Sequence, residues 1–188
     1  MNQVTPGCAV LLSVVFGVSA ANKLGGARWR AFVASTGLLR LLPPSSRTWA
    51  AGAVVVAESA IATALAGAAV LGDPVSGIAG FAGAAALLVV FTAAIVISLR
   101  RGDRTPCHCF GASAVQLGWP HVMRNFVLLI VAGAGLTAAA AGGAAQPAVA
   151  LVSGVAGGAF GLLLVRFDDL VDLFRPATRA GDGVGGSR

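Results

Sequence analysis

Residues 75–99 read VSGIAGFAGAAALLVVFTAAIVISL, a stretch without one charged side chain. A helix rises about 1.5 Å per residue, so this run would reach roughly 37 Å, enough to cross the ~30 Å hydrocarbon core of a bilayer. Four more apolar runs flank it: Val4–Asn22, Trp49–Gly72, His121–Ala141 and Ala148–Val165. In lipid, backbone amides must find their partners inside the segment or in a closed barrel. Strands of alternating hydropathy are absent, so these runs predict helices. The expected fold class is therefore all-α, a polytopic membrane helical bundle.

Composition agrees. Of 188 residues, 57% are hydrophobic and 11% charged, and the mean hydropathy is +0.87. A soluble domain carries about 25% charged residues. The net charge of +6 and pI near 11.0 would point to nucleic acid in a soluble protein, but no basic patch is interleaved with aromatics. The basic residues instead mark the polar ends of membrane spans. With five spans, all thirteen Lys and Arg fall on one side, in the first and third connections, the start of the fourth span and the tail. The positive-inside rule then sets the N-terminus outside and the C-terminus in the cytoplasm, in the cell membrane. No basic segment precedes the first run, so it is expected to stay as a helix rather than leave as a signal peptide.

The connections differ in character. Lys23–Arg47 is basic, and Trp29, Phe32, Val33 and Leu39 line one side of a short interfacial helix, imperfectly segregated from the arginines. Pro43-Pro44 stops whatever helix precedes it. Asp73-Pro74 is a tight turn, and Gly142-Gly143 to Pro147 is a weak break. Small residues at Gly154/Gly158 and Gly157/Gly161 repeat the spacing that lets membrane helices approach closely, a packing signal.

The chemistry-bearing motif is Pro106-Cys107-His108-Cys109-Phe110-Gly111, in the third connection. Two thiols one residue apart satisfy the need of thiol exchange for an attacking and a resolving sulfur. A disulfide between them would close a very small ring, strained and easily reduced, which suits a relay better than a staple. His108 and the arginines at 100, 101, 104 and 124 favour thiolate. A metal is the alternative: Cys107, His108, Cys109 and His121 could ligate Zn or Cu(I). His121 otherwise reads as a polar residue at the interface. Gly111 and Phe110 would set a turn back toward the membrane.

Glu58 is the one ionisable residue deep in a span. Such a group is by default functional, as a proton acceptor or a binder of a polar group; otherwise it hydrogen-bonds a neighbouring Ser, Thr or Asn. Asn22, Lys23, Arg124 and Asn125 are expected nearer the inner rim. Arg124 would hold a thiolate or carboxylate, or snorkel as a positive-inside charge. Cys8, alone in the first run, reads as a small packing residue, with a third redox thiol or a lipidation site as alternatives.

Taken together, Asn22-Lys23-Leu24, Pro43, Glu58, Cys107-His108-Cys109-Phe110-Gly111 and Arg124-Asn125 resemble the MauE family of methylamine-utilisation membrane proteins, related to the DoxX-like group. The resemblance covers about residues 5–135. It implies a four-helix membrane domain at 1–141 with an additional transmembrane helix at 142–174, while the tail at 175–188 reads as disordered from its Gly-rich, charged composition. It also implies a redox-associated protein linked with maturation of a disulfide-rich dehydrogenase beside a thioredoxin-like partner, and the wider group's similarity in helical layout to quinone-linked disulfide-forming membrane proteins implies a quinone as cofactor. The implied catalytic set is Cys107 and Cys109, assisted by Glu58 and Arg124. A non-catalytic membrane scaffold or maturation factor and a soft-metal binding or transport protein stand as the other readings.

Overall fold

The structure, a computed structural model, describes residues 3–35, 43–101, 119–143 and 145–173. They form α1 (Thr5–Lys23), α2 (Gly26–Ser35), α3 (Pro44–Leu71), α4 (Pro74–Arg100), α5 (Trp119–Ala140) and α6 (Pro147–Leu173). Five of the six carry proline in their first two positions: Pro6, Pro44, Pro74, Pro120 and Pro147. There the missing N–H has no intrahelical partner to lose, and the fixed φ already suits a helix. Pro43-Pro44 accordingly opens α3, with Pro43 as its N-cap. The second span thus begins with the polar turn Ser45-Ser46-Arg47-Thr48, ahead of the apolar run expected from Trp49.

All helices except α2 are long and apolar enough to cross a membrane. Val70, Leu71, Val89, Leu151, Val152 and Leu162 lie exposed on their outer faces. In water such faces would be a liability. Against lipid tails they are matched, and the protein is a multi-pass membrane protein.

Helix α1 packs on α3, α3 on α4, α4 on α5, and α5 back on α1, closing a four-helix ring. Helix α6 lies outside it, against α1. The ring is filled by Leu12, Phe16, Leu65, Phe81, Leu88 and Leu128, each fully buried. Small residues admit the large ones: the Phe81 ring occupies the place where a Cβ on Gly135 would stand, and Leu65 crowds Gly80 in the same way. The α1–α6 seam is closer still. The missing Cβ of Gly157 faces the Gly7 carbonyl, and that of Gly161 would stand 3.0 Å from the Leu11 oxygen. Gly154 and Gly158 meet Val10. The four glycines singled out by their spacing are thus the packing face of α6.

The α3–α4 corner shows how local chemistry fixes a turn. Gly72 closes α3 with φ 68°, a left-handed conformation that glycine takes without a Cβ penalty. Asp73 then caps α4, accepting hydrogen bonds from the Ser76 hydroxyl (2.5 Å) and from the amides of Ser76 (3.0 Å) and Val75 (3.3 Å). The Ser76 hydroxyl, then the amides, hold the Asp73 carboxyl below the usual aspartate range. A carboxyl lowered on folding stabilises the fold above its unfolded pKa, and that contribution is lost as pH falls through the folded value. Asp73→Asn should therefore lower the melting temperature of the detergent-solubilised protein near neutral pH, with the gap closing below about pH 4. A gap unchanged with pH would show that the cap's charge has no part in it.

Candidate functional site

The first turn of the site comes from the end of α1. Helical side chains lean toward the helix N-terminus. Lys23, in the last turn, therefore folds back over Ser19, and its Nζ donates to the Ser19 hydroxyl at 2.7 Å. The same Nζ donates to both carboxylate oxygens of Glu58 on α3, at 2.5 and 2.7 Å. Ser19 completes the triangle by donating to Glu58 Oε1 at 3.0 Å. Lys23 is 1% exposed and Glu58 0%.

Two aromatic rings close over the ammonium. The Phe32 centroid on α2 lies 5.1 Å from Nζ, and the Phe91 centroid on α4 lies 6.0 Å away. Both are within cation–π reach. Phe32 is itself held by Ala51 of α3 and by Trp29 and Val33 of its own helix. The interfacial face expected of this segment is thus a cap on the bundle interior, with Arg28 and Arg30 left on the exposed side. Leu39 lies outside the described residues.

The fourth wall is α5. Gly77 meets Ala139 and Phe81 meets Gly135, so α4 and α5 run antiparallel in a register that sets Asn125 level with Phe91. His121, Arg124 and Asn125 lie on this inner stripe, continuing through Leu128 and Ala132. Asn125 is 0% exposed, and neither its amide nitrogen nor its oxygen has a hydrogen-bond partner among the described residues. His121 and Arg124 are also buried. The interface position expected for His121 and the snorkelling alternative for Arg124 are thus replaced by interior positions, while Trp119, Met123 and Phe126 hold the outer face of that helix.

The structure brings Ser19, Lys23 and Glu58 into one charge-neutral cluster. It sets α5's His121, Arg124 and Asn125 toward the same end of the ring. Cys8 is elsewhere: it packs in the core among Ala9, Leu12 and their neighbours, 15 residues and about 22 Å of helix from Lys23. Cys107, His108 and Cys109 lie outside the described residues. Their connection leaves the end of α4 at Arg101 and returns at Trp119, roughly 14 Å along α4 beyond the level of Phe91.

The Lys23–Glu58 pair is the feature that reading the sequence missed. As the residue that ends a span, Lys23 reads from sequence as a rim residue. A signal was nevertheless present: a lone carboxylate in a span requires a counter-charge, and Ser19 and Lys23, four residues apart, offer a donor pair on one helix face.

A ring of four membrane helices around a buried ion pair, with a fifth helix outside, defines the class: a polytopic helical membrane protein with an ionic cluster toward one end. The chain belongs to the MauE family, described as methylamine utilisation protein MauE, whose model matches residues 1–138. That match spans the ring and the Cys-His-Cys segment and stops within α5, leaving α6 beyond it. Comparison with curated proteins and with solved structures gave no match.

Proposed function

We propose that this chain is a membrane thiol–disulfide redox protein acting in the maturation of other proteins, with Cys107 and Cys109 as its exchanging pair. Its partners in the reading are a thioredoxin-like protein and a quinone. The observation that supports it most is the attachment of the Cys-His-Cys segment at Arg101 and Trp119, at the end of the ring that holds the buried polar cluster. The family match, with its reference to methylamine utilisation, takes in the whole segment.

In the oxidising direction a substrate thiolate attacks the Cys107–Cys109 disulfide and forms a mixed disulfide. The substrate's second thiolate resolves it, leaving a substrate disulfide and a reduced pair. Reoxidising the pair releases two electrons and two protons, which a quinone takes up to become a quinol. His108 and Arg124 favour the thiolate form of the reduced Cys107–Cys109 pair. Glu58, oriented by Lys23 and Ser19, is the interior group for a proton or a quinone headgroup. The functional unit is residues 1–141, and the helix within 142–174 is an attachment to it.

The reading sets the N-terminus outside and the cysteine segment on the cytoplasmic side of the cell membrane. Disulfides accumulate in oxidising compartments, so a pair on that side either folds back into the bundle or takes its electrons from a cytoplasmic thiol reductant in place of the substrate dithiol. Labelling of the pair from outside would instead reverse the orientation. Alkylation with light and heavy reagents before and after reduction, followed by mass spectrometry, should show Cys107 and Cys109 switching together with redox state and Cys8 staying constant. An impermeant thiol reagent applied to intact cells should leave the pair unlabelled. A pair that stays free under oxidation ends the redox reading.

One observation favours a scaffold instead. Glu58 is fully engaged by Lys23 and Ser19, an arrangement that suits a static interior. The Cys107→Ser/Cys109→Ser variant separates the two: retained function supports docking without exchange. Elemental analysis of that variant beside the wild type tests the soft-metal alternative at Cys107, His108, Cys109 and His121.

A further inference from the structure

Between α2 and the first turns of α3 lies an open cleft of about 380 Å³, lined by Trp29, Arg30, Val33, Ala34, Arg47 and Thr48. Its size is in the range of small-ligand sites, roughly 300–1,000 Å³. We infer that this cleft binds the phosphate of an anionic phospholipid.

The chemistry of the walls carries the inference. Arg30 and Arg47 bring a guanidinium from each of two helices, and guanidinium matches phosphate in shape and charge. Thr48 adds a hydroxyl, while Trp29, Val33 and Ala34 add an apolar side that a free inorganic anion would not use. The electrostatics are one-sided. From residue 24 to residue 57 the chain has Arg28, Arg30, Arg40 and Arg47 and no Asp or Glu. The next acid, Glu58, is turned inward and engaged by Lys23 and Ser19. This segment therefore brings four arginines to its end of the bundle and no acid of its own.

The position fits a lipid. By length and composition the apolar span of α3 begins at Ser45, which puts the cleft at the polar end of that span, the level expected of headgroups. Trp49, next along α3, is 83% exposed, as an aromatic anchor at the membrane boundary is. Basic pockets beside membrane helices are a known setting for anionic headgroups. The site is distinct from the Lys23–Glu58 cluster and does not depend on the redox reading.

The test is native mass spectrometry of the purified full-length protein in detergent, offered phosphatidylglycerol, phosphatidylcholine or inorganic phosphate. Wild type should retain phosphatidylglycerol over phosphatidylcholine by roughly ten-fold or more, from about two favourable arginine contacts. Arg30→Gln/Arg47→Gln should remove most of that preference. Arg100→Gln/Arg101→Gln, which deletes two cations of the same end outside the cleft, should keep it. Equal retention of both lipids overturns the proposal, as does an equal loss in the Arg100/Arg101 variant. Displacement of the lipid by millimolar inorganic phosphate would also overturn it, marking a soluble-anion site. Should the Arg30/Arg47 variant fail to fold, the wild-type competition between the two lipids and phosphate decides alone.

Discussion

Lys23→Met is expected to destabilise the bundle by about 3–5 kcal/mol, the cost of removing one partner from a buried ion pair. Lys23 provides two of the three hydrogen bonds that Glu58 receives among the described residues, and Ser19 alone would remain. Glu58→Leu should cost a similar amount from the other side. It takes away the carboxylate that holds the ammonium, while Ser19 and the two aromatic rings stay beside it. The double variant Lys23→Met/Glu58→Leu should recover much of the loss, because an apolar pair of similar volume avoids desolvating two charges. Unfolding of the four proteins in mixed detergent, read as a double-mutant cycle, gives the coupling. Additive losses with no coupling would show that the pair is not held as described.

The cycle also bears on function. A double variant that is stable and still switches its cysteines makes the pair a structural clasp for α1, α2, α3 and α4. A double variant that is stable but redox-silent makes Glu58 part of the exchange.

The second large effect is expected at the α1–α6 seam. Gly157 faces the Gly7 carbonyl, and Gly7 in turn would carry a Cβ only 2.9 Å from the Ser153 oxygen. Both neighbours are backbone, which cannot swing aside as a side chain does. Overpacking a tight site costs about 1–3 kcal/mol even where side chains can yield. Gly157→Val should therefore push α6 off α1 while the four-helix ring survives, since the ring closes without α6. A reporter pair, Val10→Cys with Gly154→Cys, spans the seam where a Cβ added at Gly154 would stand 3.6 Å from Val10 Cγ2. Its cross-linking yield should fall severely with Gly157→Val. It should be unchanged with Gly133→Ala, where an added Cβ meets nothing within 4 Å. Undiminished cross-linking in the Val variant would refute the close contact.

These two sites also mark where sequence reading stops. The five spans follow from length and hydropathy alone, because lipid leaves a backbone no option but to satisfy itself within each helix. The glycine spacing on α6 announced a packing face for the same local reason: a repeat of four residues puts small side chains on one stripe whatever they meet. Asp73 and Pro74 likewise carry their own instructions, since a cap and a first-turn proline act over four residues.

What α6 packs against is not local, and neither is the partner of Glu58. Residues 23 and 58 are 35 positions apart, and nothing in either segment states that the spans they occupy are neighbours. Lys23 at the end of an apolar run looks the same whether its ammonium reaches out to water or back into the bundle. Only the pairing of α1 with α3, the lean of helical side chains and the cover of Phe32 decide that it turns inward. His121 and Arg124 were hidden for the same reason: a polar residue at a span's start is at the interface on an isolated helix, and inside once three other helices close around it. Composition and periodicity determined that this chain enters a membrane as helices. The tertiary contacts determined which of its few charges lie buried there, because burial belongs to how the helices pack together and not to any one of them.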